Sequence, residues 1–469
     1  MTADFADASS NPSPSVTDAP SRMATNSGNI ADASVHTLSS WLVAGELSAV
    51  EVLDAITARI EEREPQLRAF TALSLPHARE EALASDARRR TGTTRGPLDG
   101  IPYAVKDLFD VVGESTRAGS QHRPAPATSD SAAVAALRAA GMVLVGRTNM
   151  DELAYGMTSA PTRNARNPEH SPGGSSGGSA AAVGAGEVPV ALGSDTGGSV
   201  QVPAGLNGVV GFKPSHGLIS TTGTTVLSPS LDHVGIIARD VRDIGMLLCP
   251  LAGRPPLALP EPATSVDSLV IAVPDAFFLD RLSPDVAAAY QAALDKLTAA
   301  GARLQSFTPP LWEHYAAVED LVCVTEFAAA QGERVRAFPN DFGPVARHYV
   351  EVGYRIPSAT YERARYAQTL IRQLWIELLG EAEFVMTPVA PITAPRIGSS
   401  LHTWEDGTTD DVNELLGRLA VPANITGLPS ITLPGGTDSA GLPIGMQLVG
   451  RNDGNQRLLG SATVISQFV

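Results

Sequence analysis

The chain has 469 residues, of which 43% are hydrophobic and 18% charged, a composition typical of globular proteins. Its net charge of −16 argues against nucleic acid as a partner, and the sequence has no apolar run of about 18 residues that would predict a membrane span. Residues 1–33 lack the basic start and apolar stretch of a signal peptide, so we expect a disordered tail followed by a single cytoplasmic domain over residues 34–469.

The first predicted elements are two helices between residues 34 and 64, where apolar residues recur at helical spacing and Ser48 with Glu51 forms a capping-box pattern. The segment PLDGIPYAV then predicts a turn and a short buried strand that delivers Lys106 at its end. A helix closed by Gly141 precedes the apolar run MVLVG, which is typical of a buried parallel strand. Helix, glycine and strand in this order indicate an α/β protein.

Further strands are predicted in the C-terminal half of the chain. Their sequences are LVIAVP, FVMTP, PSITLP and PIGMQLVG, at residues 269–274, 384–388, 429–434 and 443–450. A helix that begins at Ser283 and Pro284 and ends near Gly301 follows the first of them. We therefore expect an α/β fold with a central mixed, twisted β-sheet flanked by α-helices on both faces.

The segment between about residues 310 and 380 is predicted to be helical and is rich in aromatic residues. We expect most of these side chains to pack on the sheet and a minority to line a substrate pocket.

Glycine and serine are concentrated in two loops between Pro172 and Pro203. GGSSGGS precedes the short helix AAAVGAG, and GSDTGGS follows the apolar run VPVAL. Glycine lets backbone N–H groups converge without interference from side chains, which is how an oxyanion hole is built. The hydroxyls of Ser175 and Ser199 are therefore candidate catalytic groups.

A serine nucleophile needs a base within hydrogen-bonding distance. None of the nine histidines lies in a pattern that pairs it with a carboxylate. Lys106 is the other candidate, because burial at the end of a strand lowers the pKa of a lysine toward neutrality. By itself the pair Lys106-Asp107 is more typical of a solvated surface, and the two serine loops favour the catalytic interpretation.

Five ordered motifs resemble those of the amidase signature family. They are GPLDGIPYAVKD at 96–107, GRTNMDELAYG at 146–156, PGGSSGGSAAAVGAG at 172–186, ALGSDTGGSVQVPAGLNGVVGFKPS at 191–215, and the closing NITGLPSITLP with GLPIGMQLVG. The resemblance covers nearly all of residues 34–469. It implies the amidase signature fold and hydrolysis of amide C–N bonds through an acyl-enzyme.

The resemblance also implies a role for each residue that matches a family motif. Ser199 would be the nucleophile, Ser175 the bridging serine in a cis peptide, and Lys106 the base of a Ser-cisSer-Lys triad. The oxyanion hole would be formed by backbone N–H groups of the second loop, those of Thr196, Gly197, Gly198 and Ser199. Three further residues would lie beside the site, namely Met150, Gly174 and Ser176.

The sequence departs from the family pattern at one position near the nucleophile. Members of the family usually have arginine two residues after the nucleophile, where this chain has Gln201. Because that arginine typically pairs with the aspartate matching Asp195, we expect the carboxylate to find another partner or water and the loop to be braced differently. The departure also argues against assigning the chain as the glutaminase subunit of the tRNA-dependent amidotransferase, because that subunit normally keeps the arginine.

Other features of the sequence raise alternative functions. GSSGG matches G-x-S-x-G and would make Ser176 the nucleophile of an α/β-hydrolase esterase, but the preceding segment is polar and broken by proline rather than a strand. Phosphate binding is a second alternative, but the sequence lacks the Gly-rich motifs that it requires. A non-catalytic binding protein is the remaining alternative, and the presence of all three catalytic positions argues against it.

The substrate is expected to be a neutral small molecule. No clamp for an anionic group is identifiable, so we expect aryl or small neutral amides, with carbamates (urethanes) and aryl esters as related substrates of the same chemistry. We expect no cofactor and no metal, because the sequence has no H-E-x-x-H motif and no Cys/His cluster at ligand spacing. A homodimer is compatible with the sequence.

Overall fold

The structure is a computed structural model that describes residues 30–253 and 265–469. The strands, numbered in chain order, are β1 Phe70–Leu73, β2 Pro102–Lys106, β3 Val143–Thr148, β4 Val190–Asp195, β5 Val210–Lys213, β6 His233–Ala238, β7 Val270–Pro274, β8 Arg303–Phe307, β9 Phe384–Pro388, β10 Leu401–Thr403, β11 Thr409–Asp411, β12 Ser430–Thr437 and β13 Pro443–Gly450.

The α-helices of the described residues span Val35–Ala44, Ala49–Leu67, Leu75–Arg90, Ala132–Ala139, Gly177–Gly184, Gln201–Asn207, Val241–Leu251, Pro284–Ala299, Tyr315–Ala337, Pro344–Gly353, Ser358–Leu378, Val412–Gly417, Val421–Thr426 and Asn455–Ile465. None of them is long and apolar enough to cross a membrane.

Eleven strands form one mixed sheet in the order β1-β3-β2-β4-β6-β5-β12-β13-β9-β7-β8. Strands β3, β2 and β4 are parallel neighbours, β9, β7 and β8 form a second parallel group, and antiparallel pairs join the two groups. Helices flank the sheet. The predicted fold class, a mixed α/β architecture, is confirmed.

The parallel group near the N-terminus carries the residues singled out by the sequence. All five residues of β2 and all six of β4 are buried, as expected for parallel strands covered by helices. Val105 lies opposite Leu192 across these two strands. Lys106 and Asp195, at the carboxyl ends of the two strands, therefore meet at the same edge of the sheet.

The N-terminal helices begin where the capping signals place them. Ser34 caps the first helix through Thr37 N–H at 3.1 Å, and Ser48 with Glu51 forms the predicted capping box. Of the predicted tail, residues 1–29 lie outside the described residues. Ile30, Ala31 and Ala33 are buried, so packing begins before the predicted boundary at residue 33.

The predicted strands of the C-terminal half are confirmed as β7, β9, β12 and β13, and residues 310–380 contain three long helices as expected. Strands β1, β5, β6, β8, β10 and β11 were not predicted, and β4 was identified only as the apolar run VPVAL. In β8, RLQSF, four of five residues are exposed or half-buried, so the sequence carries neither an apolar run nor a clear alternation.

Candidate active site

Lys106 lies wholly inside the protein at the end of β2. Its ammonium nitrogen, Nζ, is 2.7 Å from Ser175 Oγ and 2.8 Å from Ser194 Oγ, and its side chain has no exposed surface. The adjacent Asp107 is also buried and forms an ion pair with Arg147 at 2.7 Å. The Lys106-Asp107 pair is therefore not a solvated surface pair, and the lysine is directed at two serines.

Burial controls the charge of Lys106. Desolvation lowers its pKa to about 7, while the negative charges of Asp151, Asp195 and Asp232 act in the opposite direction and leave the pKa well below the usual value of 10.5. A substantial fraction of the side chain is therefore a neutral amine near pH 7. A neutral amine hydrogen-bonded to a serine hydroxyl can accept its proton.

Ser175 lies in the first Gly-Ser loop, immediately before the helix Gly177–Gly184. The Gly174–Ser175 peptide bond is cis, and the carbonyl of Ser175 accepts hydrogen bonds from Ser159 Oγ at 3.2 Å and Asp151 N–H at 3.4 Å. A Cβ on Gly174 would lie 2.1 Å from Asp151 Oδ2, so only glycine fits there. These contacts fix the peptide that presents the Ser175 hydroxyl to Lys106.

Ser176 joins the two Gly-Ser loops. Its backbone N–H donates to the carbonyl of Ser199 at 3.1 Å, and its hydroxyl donates to the carbonyl of Ser194 at 3.1 Å. The two loops therefore face each other, as expected, and Ser199 is held next to the Ser175 loop. Ser176 has no exposed surface, and its hydroxyl is engaged with backbone, which does not suit the nucleophile of an esterase.

The loop that carries Ser199 is shaped around the carboxylate of Asp195. Its oxygens accept N–H groups from Gly198 at 2.9 Å, Val200 at 2.6 Å and Gln201 at 3.2 Å. Asn424 Nδ2 donates to Asp195 Oδ1 at 2.7 Å. This carboxylate therefore sets the turn that carries Ser199, which is 4% exposed.

The predicted consequence of Gln201 can be followed in the contacts of Asp195. Gln201 Nε2 is 3.3 Å from Asp195 Oδ2, and Gln201 Oε1 accepts a hydrogen bond from Ser430 Oγ at 2.6 Å. Gln201 and Asn424 thus supply amide donors where the family pattern has a cation. Among the described residues, no arginine or lysine forms an ion pair with Asp195.

The four residues predicted to form an oxyanion hole differ in the availability of their N–H groups. The N–H of Gly198 is already bonded to Asp195. Within the described ranges, the N–H groups of Thr196, Gly197 and Ser199 have no protein acceptor, so these three can face a substrate oxygen. Thr196 is held by its side chain, since its hydroxyl donates to Asp232 Oδ1 at 2.6 Å.

The helix Tyr315–Ala337 forms part of the wall above the loop that carries Ser199. Glu319 Oε1 lies 3.4 Å from the position that a Cβ on Gly197 would occupy, and Val421 Cγ2 lies 3.6 Å from it. Burial and the neighbouring Asp320 raise the pKa of the half-buried Glu319 to about 8. The carboxyl of Glu319, which faces this loop, is therefore mainly protonated at pH 7.

Three residues near the site were missed by the sequence interpretation, although each lies in a quoted motif or beside one. Ser194 precedes Asp195 in GSDTGGS, Asn424 opens NITGLPSITLP, and Asp151 follows Met150 in GRTNMDELAYG. Met150, which the resemblance places beside the site, is buried at 2% exposure. No histidine of the described residues hydrogen-bonds to Ser175, Ser176 or Ser199, and in the same ranges no cluster of three or more His, Cys, Asp or Glu side chains could hold a metal ion.

Comparison with known proteins places this geometry in a family. The model of the family described as Amidase matches residues 51–459. The chain belongs to the Amidase family. An amidase of Pseudomonas putida is 38% identical to it over 413 residues, which cover 86% of this chain and 88% of that protein.

Two further Amidase-family relatives show how broad the likeness is. A glutamyl-tRNA(Gln) amidotransferase subunit of Roseiflexus sp. (strain RS-1) is 37% identical, with 89% of this chain and 92% of that protein covered. A solved crystal structure of an amidase superposes with a TM-score of 0.87 at 34% identity and covers 93% of this chain and 99% of that one. The resemblance inferred from the five motifs is confirmed, and the protein is an Amidase-family hydrolase that acts on amides.

Proposed function

We propose that this amidase cleaves the C–N bond of aryl or small neutral amides, and of carbamates, through an acyl-enzyme on Ser199. The observation that carries the proposal is the contact of a wholly buried Lys106 with the Ser175 hydroxyl, beside the loop that holds Ser199. A neutral lysine in this position can activate a serine without a histidine.

The reaction would begin with the transfer of two protons. Ser175 passes its hydroxyl proton to the Lys106 amine and receives the proton of Ser199, whose oxygen attacks the substrate carbonyl. The N–H groups of Thr196, Gly197 and Ser199 stabilise the oxygen anion of the tetrahedral intermediate. When the C–N bond breaks, the proton returns from Lys106 through Ser175 to the leaving nitrogen. Water then attacks the ester by the same route, which releases the acid and restores Ser199.

The preference for a neutral substrate rests on the wall above the nucleophile's loop. At pH 7 the carboxyl of Glu319 is mainly protonated, since its pKa is raised to about 8, and no cationic side chain of the described residues is among the charges that act on it. Nothing in these contacts would select an anionic substrate. Aromatic side chains lie further along the wall, where Tyr155 packs against Phe327 and Tyr349 at ring distances of 5.5 Å and 4.2 Å. Such rings favour an aryl or apolar group on the substrate.

The proposal is tested with a substrate panel. An aryl acetamide, a primary aliphatic amide, an aryl carbamate, an aryl ester and glutamine are compared by kcat/KM with purified enzyme. We expect turnover of the aryl amide and the aryl carbamate and none of glutamine. Ser199→Ala serves as the control for each substrate. Hydrolysis that survives Ser199→Ala, or failure with every amide, would contradict the proposal.

A second candidate is the glutaminase subunit of a tRNA-dependent amidotransferase. It is favoured by the 37% identity to the Roseiflexus protein over 89% of this chain. Gln201 argues against it, because the expected arginine is absent. Glutamine hydrolysis that appears only on addition of partner subunits would favour this candidate over the first.

A further inference from the structure

The chain contains very few lysines. Of its 34 lysine and arginine residues only three are lysine, namely Lys106, Lys213 and Lys296. Lys296 is exposed, whereas Lys106 and Lys213 have no exposed surface. Both buried lysines end strands of the same half of the sheet, β2 and β5, yet the reaction proposed above uses only Lys106.

The three groups around the Lys213 amine are all hydrogen-bond acceptors. Its Nζ lies 2.6 Å from the carbonyl oxygen of Leu428, 3.3 Å from that of Pro214 and 3.3 Å from His233 Nε2. The two carbonyls can only accept. The role of His233 depends on which of its ring nitrogens carries the proton.

The other ring nitrogen of His233 decides its tautomer. His233 Nδ1 lies 2.6 Å from the carbonyl oxygen of Leu231 and 3.2 Å from that of Asp195, so it carries the hydrogen and donates. Burial lowers the pKa of His233 well below its usual value, and the ring is neutral. Its Nε2 is therefore an acceptor. An ammonium group has three hydrogens to donate, which matches the three acceptors around Lys213.

The surroundings of Lys106 differ from those of Lys213 in whether a hydrogen-bond donor faces the amine nitrogen. A neutral amine has a lone pair that needs a donor, and the hydroxyls of Ser175 and Ser194 can donate as well as accept. No donor faces the Lys213 nitrogen among the described residues. Hydrogen bonding therefore favours the neutral form only at Lys106.

Two charged side chains, Asp195 and Arg372, act on the pKa of Lys213. Burial is the largest effect and lowers the pKa of Lys213 to about 7, while the charge of Asp195 raises it and that of Arg372 lowers it. Because the pKa of Lys106 is lowered to the same value, burial and charge do not separate the two lysines, and the hydrogen-bond partners decide which of them is neutral. The neutral ring of His216 packs against His233 with 5.1 Å between centroids. Asp195 is the carboxylate that shapes the nucleophile's loop, and its own side-chain donors, Gln201 and Asn424, are uncharged.

We propose that Lys213 remains an ammonium while Lys106 is the neutral base, and that it supplies the positive charge that balances Asp195 in place of the arginine missing at position 201. Lys213 is a positioning residue: it acts through His233 and Asp195 on the loop of Ser199. The inference rests on the proposed roles of Ser199, Ser175 and Lys106.

The charge of Lys213 can be measured by ¹³C NMR in enzyme that keeps both buried lysines. With only three lysines, protein labelled with ¹³C at the lysine ε-carbons gives three methylene signals, of which Lys296→Arg removes the exposed one. Inhibitor attached to Ser199 shifts the signal of Lys106 and so assigns the other two. At the pH of half-maximal activity we expect Lys106 to be half neutral and Lys213 to be protonated. A neutral Lys213 at that pH overturns the proposal.

Variants test the effect of this charge on the reaction. Lys213→Met should lower kcat roughly 10- to 100-fold with KM changed less than about threefold. Adding Gln201→Arg returns a positive charge beside Asp195 and should recover at least roughly tenfold of the loss, although Gln201→Arg alone gives no gain. A merely structural role for Lys213 predicts no recovery. If Lys213→Met does not fold, the ¹³C titration alone decides.

Failure of this inference is distinguishable from failure of the proposed function. The proposed function fails when Ser199→Ala retains covalent labelling or hydrolysis. The inference fails when labelling requires Ser199 but Lys213 is neutral at working pH, or when Gln201→Arg brings no recovery in the folded Lys213→Met protein.

Discussion

The contact between Ser194 and Lys106 makes a specific prediction, because this serine was not anticipated from the sequence. Ser194→Ala removes the hydroxyl that lies 2.8 Å from Lys106 Nζ and leaves the 2.7 Å contact with Ser175 intact. In the proposed reaction Lys106 becomes positively charged when it takes the proton of Ser175. The lost hydrogen bond is therefore worth more in the transition state than in the resting enzyme, and kcat should fall while KM changes little.

The size of the effect follows from the kind of hydrogen bond. A hydrogen bond to a charged group contributes about 1.5 to 3 kcal/mol. With the lower figure, since the resting amine is partly neutral, the rate should fall about tenfold. The rate of the Ser175→Ala variant should fall much further, because this substitution interrupts the transfer of the proton itself.

Ser179 provides the matched control for this experiment. Like Ser194 it is buried, and its hydroxyl bonds Thr148 Oγ1 at 2.7 Å and the carbonyl of Leu192 at 3.0 Å without a hydrogen bond to Lys106. Hydrolysis of an aryl amide is measured for both variants alongside their thermal unfolding. Equal rates for Ser194→Ala and Ser179→Ala, within about twofold, would refute the reasoning.

Three further outcomes follow from the site. Because the pKa of Lys106 is lowered to about 7 and that of Glu319 is raised to about 8, kcat/KM should rise through pH 7 as the amine becomes neutral. It should then fall above pH 8 as a carboxylate forms beside the oxyanion loop, and Glu319→Gln should remove only the fall in a pH–rate profile. Ser199→Ala should abolish covalent labelling by a fluorophosphonate, whereas Ser175→Ala should slow it, and intact-mass analysis that places the adduct elsewhere would contradict both assignments. Asn424→Ala removes two hydrogen bonds to Asp195, at 2.7 Å and 3.1 Å, and should lower kcat about 30-fold with an unchanged profile; a normal kcat would separate Asn424 from the nucleophile's loop.

The fold could be predicted from the sequence where local patterns are strong. Fully buried strands such as β2 and β9 appear as apolar runs, and the helix after Ser48 carries its own capping box. Strand β8 lacks such a pattern, because it lies at the edge of the sheet with exposed side chains on both faces. Its existence depends on pairing with β7, which local sequence patterns do not capture.

In the candidate site, too, residues within local motifs could be predicted, whereas contacts between residues far apart in the sequence could not. Ser175 and Ser199 stand out because glycine-rich motifs surround them, and Lys106 stands out because it ends an apolar strand. Asn424 contacts Asp195 across 229 residues of sequence, so its partner could be identified only from the folded chain. The consequence of Gln201 was predicted as a need for another partner, and the structure identifies that partner as an amide rather than an ion.

The parallel pairing of β2 and β4 has a consequence for how the enzyme acquires activity. Val105 stands opposite Leu192, and this alignment brings Lys106 to the serines of the neighbouring loops. A slip of one residue would displace the lysine by about 3.3 Å and turn it to the other face of the sheet. A compact molecule with that fault would retain most of its secondary structure and yet be inactive. Titration of Ser199 with a covalent inhibitor during refolding would therefore count the molecules in which these two strands have found their correct alignment.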